Sequence, residues 1–257
     1  MKAIVSARNV SKRYHFGKTL QIRPSLAEVL GSTIKRFRRS NGGAQEAFWA
    51  LKGISFEAMP GEVIGIIGRN GAGKSTLLRI LARITKPTTG EIDMYGRLGA
   101  LLEIGTGFHP DLTGRENIFL NGTILGMKFR EIRRQFDEIV AFSEIEKFLA
   151  TPVKHYSSGM YLRLAFAIAA HFEPDVLLLD EIIAVGDISF QKKCFEKMET
   201  VRLQGRTIFL VSHDLATIQR WCQRVLFLQA GRLCEEQAVK ATIEAYVGDE
   251  ASVLAPG

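Results

Sequence analysis

The stretch Gly68-Arg69-Asn70-Gly71-Ala72-Gly73-Lys74-Ser75-Thr76 decides how the rest of this 257-residue chain is read. Its spacing, G-x-x-x-x-G-K-S, is that of a loop that wraps phosphate groups. An apolar run at 63–67 precedes it, and a helical pattern at 76–81 follows. That strand–loop–helix context is what the spacing requires. Glycines let backbone N–H groups turn inward around phosphate oxygens. A helix beginning near Lys74 aims its positive dipole end at the same anion. Lys74 is predicted to reach the β- and γ-phosphates of a nucleotide, and Ser75 to hold Mg²⁺.

Around the loop, apolar runs and helical patterns alternate. Strands are predicted at 92–95, 98–102, 176–179, 207–211 and 225–228, and helices at 161–172, 189–203, 215–222 and 239–247. This alternation predicts an α/β fold with a mostly parallel sheet covered on both faces. Upstream, strands are read at 3–9 and 48–56. Residues 15–47 break the pattern with Pro24, Gly31 and Asn41-Gly42-Gly43. Within them, 25–37 reads as one amphipathic helix whose outer face and tail carry Lys35, Arg36, Arg38 and Arg39. A solvated basic loop and a docking segment for acidic lipid head groups or a partner are both open readings. A glycine-rich connection at 103–117 leads into a helical lobe at about 113–172. Residues 1–250 read as a single domain and 251–257 as a frayed tail.

The whole chain bounds the possibilities further. A net charge of +7 and a pI of about 9.4 suit a nucleic acid or an anionic membrane surface and decide neither. Cys194, Cys222 and Cys234 lack metal-site spacing, which predicts a reducing compartment with neither a disulfide framework nor a metal cluster. The start has no secretory pattern, and the best apolar run, 164–170, is too short to span a membrane.

Three further groups carry chemistry. Asp180 follows the apolar run at 176–179, at the carboxyl end of a predicted strand where ligands of open α/β sheets bind. A carboxylate there can share Mg²⁺ with Ser75, and Glu181 beside it can deprotonate an attacking water. His213, in Val211-Ser212-His213-Asp214, ends the next predicted strand and can donate to a γ-phosphate. Ser157-Ser158-Gly159 heads a helix, where it serves either as an anion site or as a simple N-cap.

In this order the motifs resemble the ATP-binding subunits of ABC transporters over most of the chain. They include Tyr156-Ser157-Ser158-Gly159-Met160, Leu177-Leu178-Leu179-Asp180-Glu181 and Val185-Gly186-Asp187. The resemblance implies an antiparallel β subdomain beside the parallel core, ATP hydrolysis, and a head-to-tail homodimer. In that dimer Ser157, Ser158 and Gly159 of one subunit meet the nucleotide held by the other. Asp187 would sit at the seam and Tyr14 would stack on adenine. The family's usual Leu-Ser-Gly-Gly-Gln is altered here at Ser158 and Met160. Its Gln before the helical lobe is missing, and Glu103 is the nearest candidate for that metal-side position.

The runs at 103–118, 156–160 and 180–187 are similar to the polysaccharide-export branch, which serves O-antigen, teichoic acid and capsule. That similarity implies an integral-membrane permease as partner, a lipid-linked polysaccharide as cargo, and a place at the cytoplasmic face of the bacterial inner membrane. Residues 15–47 then correspond to an insertion that lies against the membrane subunit in some relatives. No appended carbohydrate-binding domain is expected. The competing reading is a soluble ABC-type ATPase acting on nucleic acid, supported by the basic balance alone.

Overall fold

The computed structural model describes residues 2–15, 47–101, 107–180, 187–212, 214–234 and 239–254. In chain order the elements are β1 (Val5–His15), β2 (Ala47–Ala58), β3 (Val63–Ile67), α1 (Lys74–Leu81), β4 (Thr89–Met94), β5 (Leu98–Leu101), α2 (Gly114–Ile124) and α3 (Phe129–Ser143). They continue with α4 (Ser158–Ala170), β6 (Val176–Asp180), α5 (Ile188–Leu203), β7 (Thr207–Val211), α6 (Leu215–Trp221), β8 (Arg224–Gln229), β9 (Arg232–Leu233) and α7 (Val239–Leu254). One sheet has the order β2-β1-β4 and is antiparallel; the other has the order β5-β6-β7-β3-β8-β9 and is parallel except at β9.

The parallel strands are apolar through their middles, with polar residues only at their ends, because both of their faces are covered. Alternate residues divide cleanly between two cores. Ile64, Ile66, Val176, Leu178, Phe209, Val211, Leu226 and Leu228 pack with α1 and the antiparallel sheet. Val63, Ile67, Leu177, Leu179, Ile208, Leu210, Val225 and Phe227 pack with helices on the other side. Each such side chain contributes about 1.5–3 kcal/mol by leaving water. A third cluster builds the helical lobe from Ile118, Ile132, Phe136, Ile139, Leu164, Ala167 and Ile168. Helix α4 is apolar nearly all round because it serves two cores: Leu164, Ala167 and Ile168 face the lobe, while Phe166, Ala169 and Ala170 face the sheet.

The structure extends or adds elements in four places. Strand β1 runs to His15, because pairing with β2 and β4 continues through polar residues that show no apolar alternation. Helix α2 begins at Gly114, inside the stretch read as a connection. Thr113 and Glu116 form its capping box, a T-x-x-E signal present in the sequence. Strand β9 has two residues, too few for any periodicity to register. Helix α7 continues to Leu254, past the predicted end at Val247 and into the stretch read as a frayed tail. Gly248 lies inside it, since one glycine costs a helix only about 1 kcal/mol.

Residues 16–46 are outside the description, and with them the predicted helix at 25–37 and its basic tail. The two ends of that segment are fixed, however: His15 pairs with Ala47, and Tyr14 with Phe48. The segment is therefore an excursion between two register partners of one hairpin. Among the described residues no helix is long and apolar enough to cross a membrane.

His171 caps the carboxyl end of α4 and lies between the lobe and α5. Only 5% of it is exposed, and its Nδ1–H donates to the Ala167 carbonyl at 2.7 Å. Burial pushes its pKa below the ordinary 6.5. The folded form therefore favours neutral imidazole, so stability is full above about pH 6.5 and falls as the pH drops below it. Thermal melts are expected to hold their midpoint from pH 7.5 to about 6.5 and to lose it from there to pH 5.5. In His171→Gln that loss should be smaller, whatever the variant's absolute stability.

Candidate nucleotide site

The site begins with the path of the loop. Gly68 has φ +149°, and a Cβ there would lie 2.2 Å from the Leu228 carbonyl oxygen. Gly73 has φ +110°, and its Cβ would fall 2.6 Å from the Ala50 carbonyl oxygen. Both positions need glycine because backbone from β8 and β2 comes too close for any side chain. Gly73 is also the N-cap of α1; it supplies no side-chain cap, and the first turn holds no acidic residue. The dipole end of α1 is thus not compensated by a carboxylate of its own first turn.

Lys74 is buried at the start of α1. Its ammonium donates to the carbonyls of Gly68 at 2.6 Å and Arg69 at 3.2 Å. These bonds fold the loop around its own lysine. An open cavity of about 420 Å³ lies over this arrangement. Asn70, Gly71, Gly73, Lys74, Ser75 and Thr76 form its floor, Phe48 and Ala50 of β2 form one wall, and Asp180 and Val211 form another. Arg69 and Ala72 face a separate open cavity beside Leu228, Gln229 and Ala230.

Asp180 reaches the site because β6 and β7 are parallel neighbours in register, Asp180 opposite Val211. Both strands end at the same wall. Ser75 and Asp180 therefore offer two oxygen donors to one space, the donor type that a hard divalent cation takes. Glu103, Glu181 and His213 lie outside the described residues. Along the chain, Glu181 directly follows Asp180, and His213 comes two residues after Val211.

The remaining predicted residues lie elsewhere. Ser157 is the N-cap of α4, its hydroxyl oxygen accepting from Met160 N–H at 3.2 Å. Ser158 beside it is exposed and Gly159 half-buried, and none of the three lines the cavity over Lys74. A Cβ on Gly159 would meet nothing nearer than Ser157 Oγ at 3.9 Å, so packing within this chain does not demand glycine there. Asp187 is the N-cap of α5. The Ser189 hydroxyl, the Phe190 N–H and Arg163 together lower its carboxyl to about 2. Tyr14 does not line the cavity; it stacks on Phe48, ring centroids 5.7 Å apart, and Phe48 is the ring that does.

Sequence reading missed Phe48 and Ala50, which lie in a strand with no motif of its own. It also missed Asn117, fully buried at the start of the lobe. Asn117 accepts from His109 N–H at 2.7 Å and donates to the carbonyls of His109, Leu112 and Thr113. One amide thereby pins the chain between the glycine-rich connection and α2.

The family model of the ABC transporter matches residues 51–184, from β2 through the Asp180 wall. The chain belongs to the ABC transporter family. Over 250 residues it is 40% identical to the O-antigen export system ATP-binding protein RfbB of Klebsiella pneumoniae, covering 96% of this chain and 98% of that one. A protein of the same name from Myxococcus xanthus is 50% identical over 202 residues, 78% of this chain but only 46% of that longer one. The teichoic acids export ATP-binding protein TagH of Lactiplantibacillus plantarum is 44% identical over 94% of this chain and 64% of its own length.

Among solved structures, an ATP-binding subunit of an ABC transporter superposes with a TM-score of 0.72 at 22% identity, over 97% of this chain and 98% of that one. A dimeric ATP-binding cassette bound to ADP and phosphate gives 0.67 at 24% identity, over 91% and 98%. These establish the ABC ATPase fold: a mixed, mainly parallel sheet, an antiparallel β subdomain and a helical region.

Phe48→Ala is expected to weaken ATP binding about 3- to 10-fold in a fluorescence titration, the scale of one lost aromatic contact. Tyr14→Ala should have the smaller effect, because its ring supports Phe48 from behind.

Proposed function

We propose that this chain is the ATP-hydrolysing subunit of an exporter of a lipid-linked polysaccharide, and that it works as a head-to-tail homodimer on a membrane permease. One observation carries the dimer reading. The phosphate loop and Asp180 share a cavity, while Ser157, Ser158 and Gly159 lie apart from it at an exposed helix start. A single subunit therefore holds two halves of different sites, and a second copy turned head to tail would complete each. The unoccupied space around Gly159 supports a close approach from outside the chain. The cargo reading is supported by similarity to O-antigen export proteins along nearly their full length. The permease, the cytoplasmic membrane face and a role for residues 15–47 beside the membrane follow from the same reading.

In this scheme Lys74 exchanges its two loop carbonyls for phosphate oxygens, so the loop is released from its own lysine as nucleotide enters. The amides of Gly71 and Gly73 and the start of α1 receive the phosphate charge. Ser75 and Asp180 would hold Mg²⁺, which would supply positive charge to neutralise the phosphates. Glu181 acts as the base for the attacking water, and His213 donates toward the γ-phosphate. Both are assigned from their places in the sequence, Glu181 next after Asp180 and His213 two residues after Val211. Glu103 is assigned to the metal side of the site from its sequence position. Phe48, backed by Tyr14, provides the adenine face, which moves the direct contact from Tyr14 to its strand partner.

Glu181→Gln is expected to bind ATP normally and to lose turnover by about 10²- to 10⁴-fold, the range for loss of a general base. Near-normal steady-state hydrolysis would remove Glu181 from that role. Mixing a Lys74→Ala subunit with a Ser157→Ala subunit should restore activity, because each mixed dimer holds one intact composite site. Silence of the mixture, with heterodimers verified by a tagged pull-down, would refute the head-to-tail arrangement. Co-purification with a multi-span membrane protein supports the export reading, and ATPase stimulation by nucleic acid would oppose it.

A further inference from the structure

Arg163 lies on the helix that starts with Ser157 and Ser158, less than two turns further on. Its guanidinium donates to Glu144 Oε2 at 2.6 Å and also to Asp187 Oδ2. The side chain is only 20% exposed and lies over the buried Phe190 ring, 5.0 Å from its centroid. Three elements therefore meet at one guanidinium: the end of α3, the helix α4 and the start of α5.

Each carboxylate is divided between two tasks. Asp187 gives Oδ1 to the cap of α5, accepting from Phe190 N–H at 3.0 Å and the Ser189 hydroxyl at 2.7 Å, and gives Oδ2 to Arg163. Glu144 gives Oε2 to Arg163 and Oε1 to Lys193 of α5, the latter at 2.7 Å. Glu144 is also the C-cap of α3 with φ +58°, a conformation that a residue with a Cβ avoids unless it is held. Beneath these pairs, Phe142 of α3 packs edge-on against Phe190, with the Lys193 ammonium 5.4 Å from its ring. The lobe and α5 are thus clasped on both a polar and an aromatic level.

We propose that Arg163 is a positioning residue that locks Asp187 to the helix bearing Ser157, Ser158 and Gly159, so that one subunit presents both to its partner in a single fixed geometry. This rests on the head-to-tail reading above. Arginine suits the task because its rigid planar fork aims separate N–H groups at the two carboxylates, whereas a lysine ammonium is a compact point charge without that fixed geometry. Arg163 touches no nucleotide in this scheme. Its effect is on the alignment of groups that the second subunit needs, and misplacement of such groups by about 1 Å can cost about 100-fold in rate.

The test compares Arg163→Gln, Arg163→Lys and Glu144→Gln in the full chain by three readouts. These are ATP affinity at low protein concentration, ATP-driven dimer formation in a Glu181→Gln background, and steady-state hydrolysis. Arg163→Gln is expected to keep its ATP affinity, while dimer formation weakens and turnover falls about 10- to 100-fold. Arg163→Lys should recover part of the loss. Glu144→Gln, which cuts only one arm, should move the same two readouts less and serves if Arg163→Gln does not fold. Arg163→Gln combined with Asp187→Asn should be no worse than the poorer single variant. Normal dimer formation and turnover in Arg163→Gln would overturn the inference, as would losses that track a fall in ATP affinity. If those results accompany a successful Lys74/Ser157 mixing experiment, this inference alone fails; silence of the mixture removes both.

Discussion

The rest of this structure depends on how closely three pieces of backbone approach one another at Ala50. The Ala50 carbonyl lies where a Cβ of Gly73 would be 2.6 Å away and a Cβ of Gly231 2.7 Å away. The Gly231 N–H donates to the Ala72 carbonyl at 3.1 Å, and the Lys52 N–H donates to the Gly231 carbonyl at 2.7 Å. The phosphate loop, the antiparallel sheet and the turn between β8 and β9 are therefore in backbone contact. Side chains at these two glycines would force them apart. Because β2 is held there, Phe48 two residues earlier lies on the same face as Ala50 and reaches the cavity over Lys74. The contact that shapes the loop also supplies the wall of the nucleotide site.

The helical lobe solves a different problem. Helix α4 must belong to the lobe and the core at once, and its two apolar faces do this without polar compromise. Polar groups lie off those faces: Ser157 caps the start, Arg163 projects from the middle and His171 caps the finish. This arrangement joins the lobe to the core through α4 and α5, while Asn117 and the Thr113–Glu116 capping box fix the lobe's entry. Glu116, held ionised by the Thr113 N–H and hydroxyl, shows how a local bond shifts a carboxyl below its usual range. Ser157 and Asp187, the groups proposed to meet a second subunit, are likewise the N-caps of α4 and α5, so local capping already fixes them.

Much of the fold was legible before any coordinates. The parallel strands were marked by continuous apolar runs, since a strand covered on both faces keeps its polar residues to its ends. The phosphate loop, Asp180 and the helix start at Ser157 were marked by residue types that chemistry or capping demands at fixed spacing. Strand β9, the far half of β1 and the end of α7 were not legible. Pairing and packing with distant segments sustain them, and a local window does not contain those partners.

The sequence alone determined the order of the elements, the apolar runs that place the parallel strands between two cores, and which residue types stand in the loop at Gly68–Thr76 and at the end of β6. These follow from covalent spacing and side-chain type, which are local properties. Tertiary structure alone decided that Phe48 rather than Tyr14 faces the cavity, that Ser157 lies away from Lys74, and that Arg163 joins Glu144 to Asp187. Each of these depends on where strands and helices far apart in the chain come to rest against one another. Strand register and helix packing set that distance, and no spacing along the chain encodes it directly.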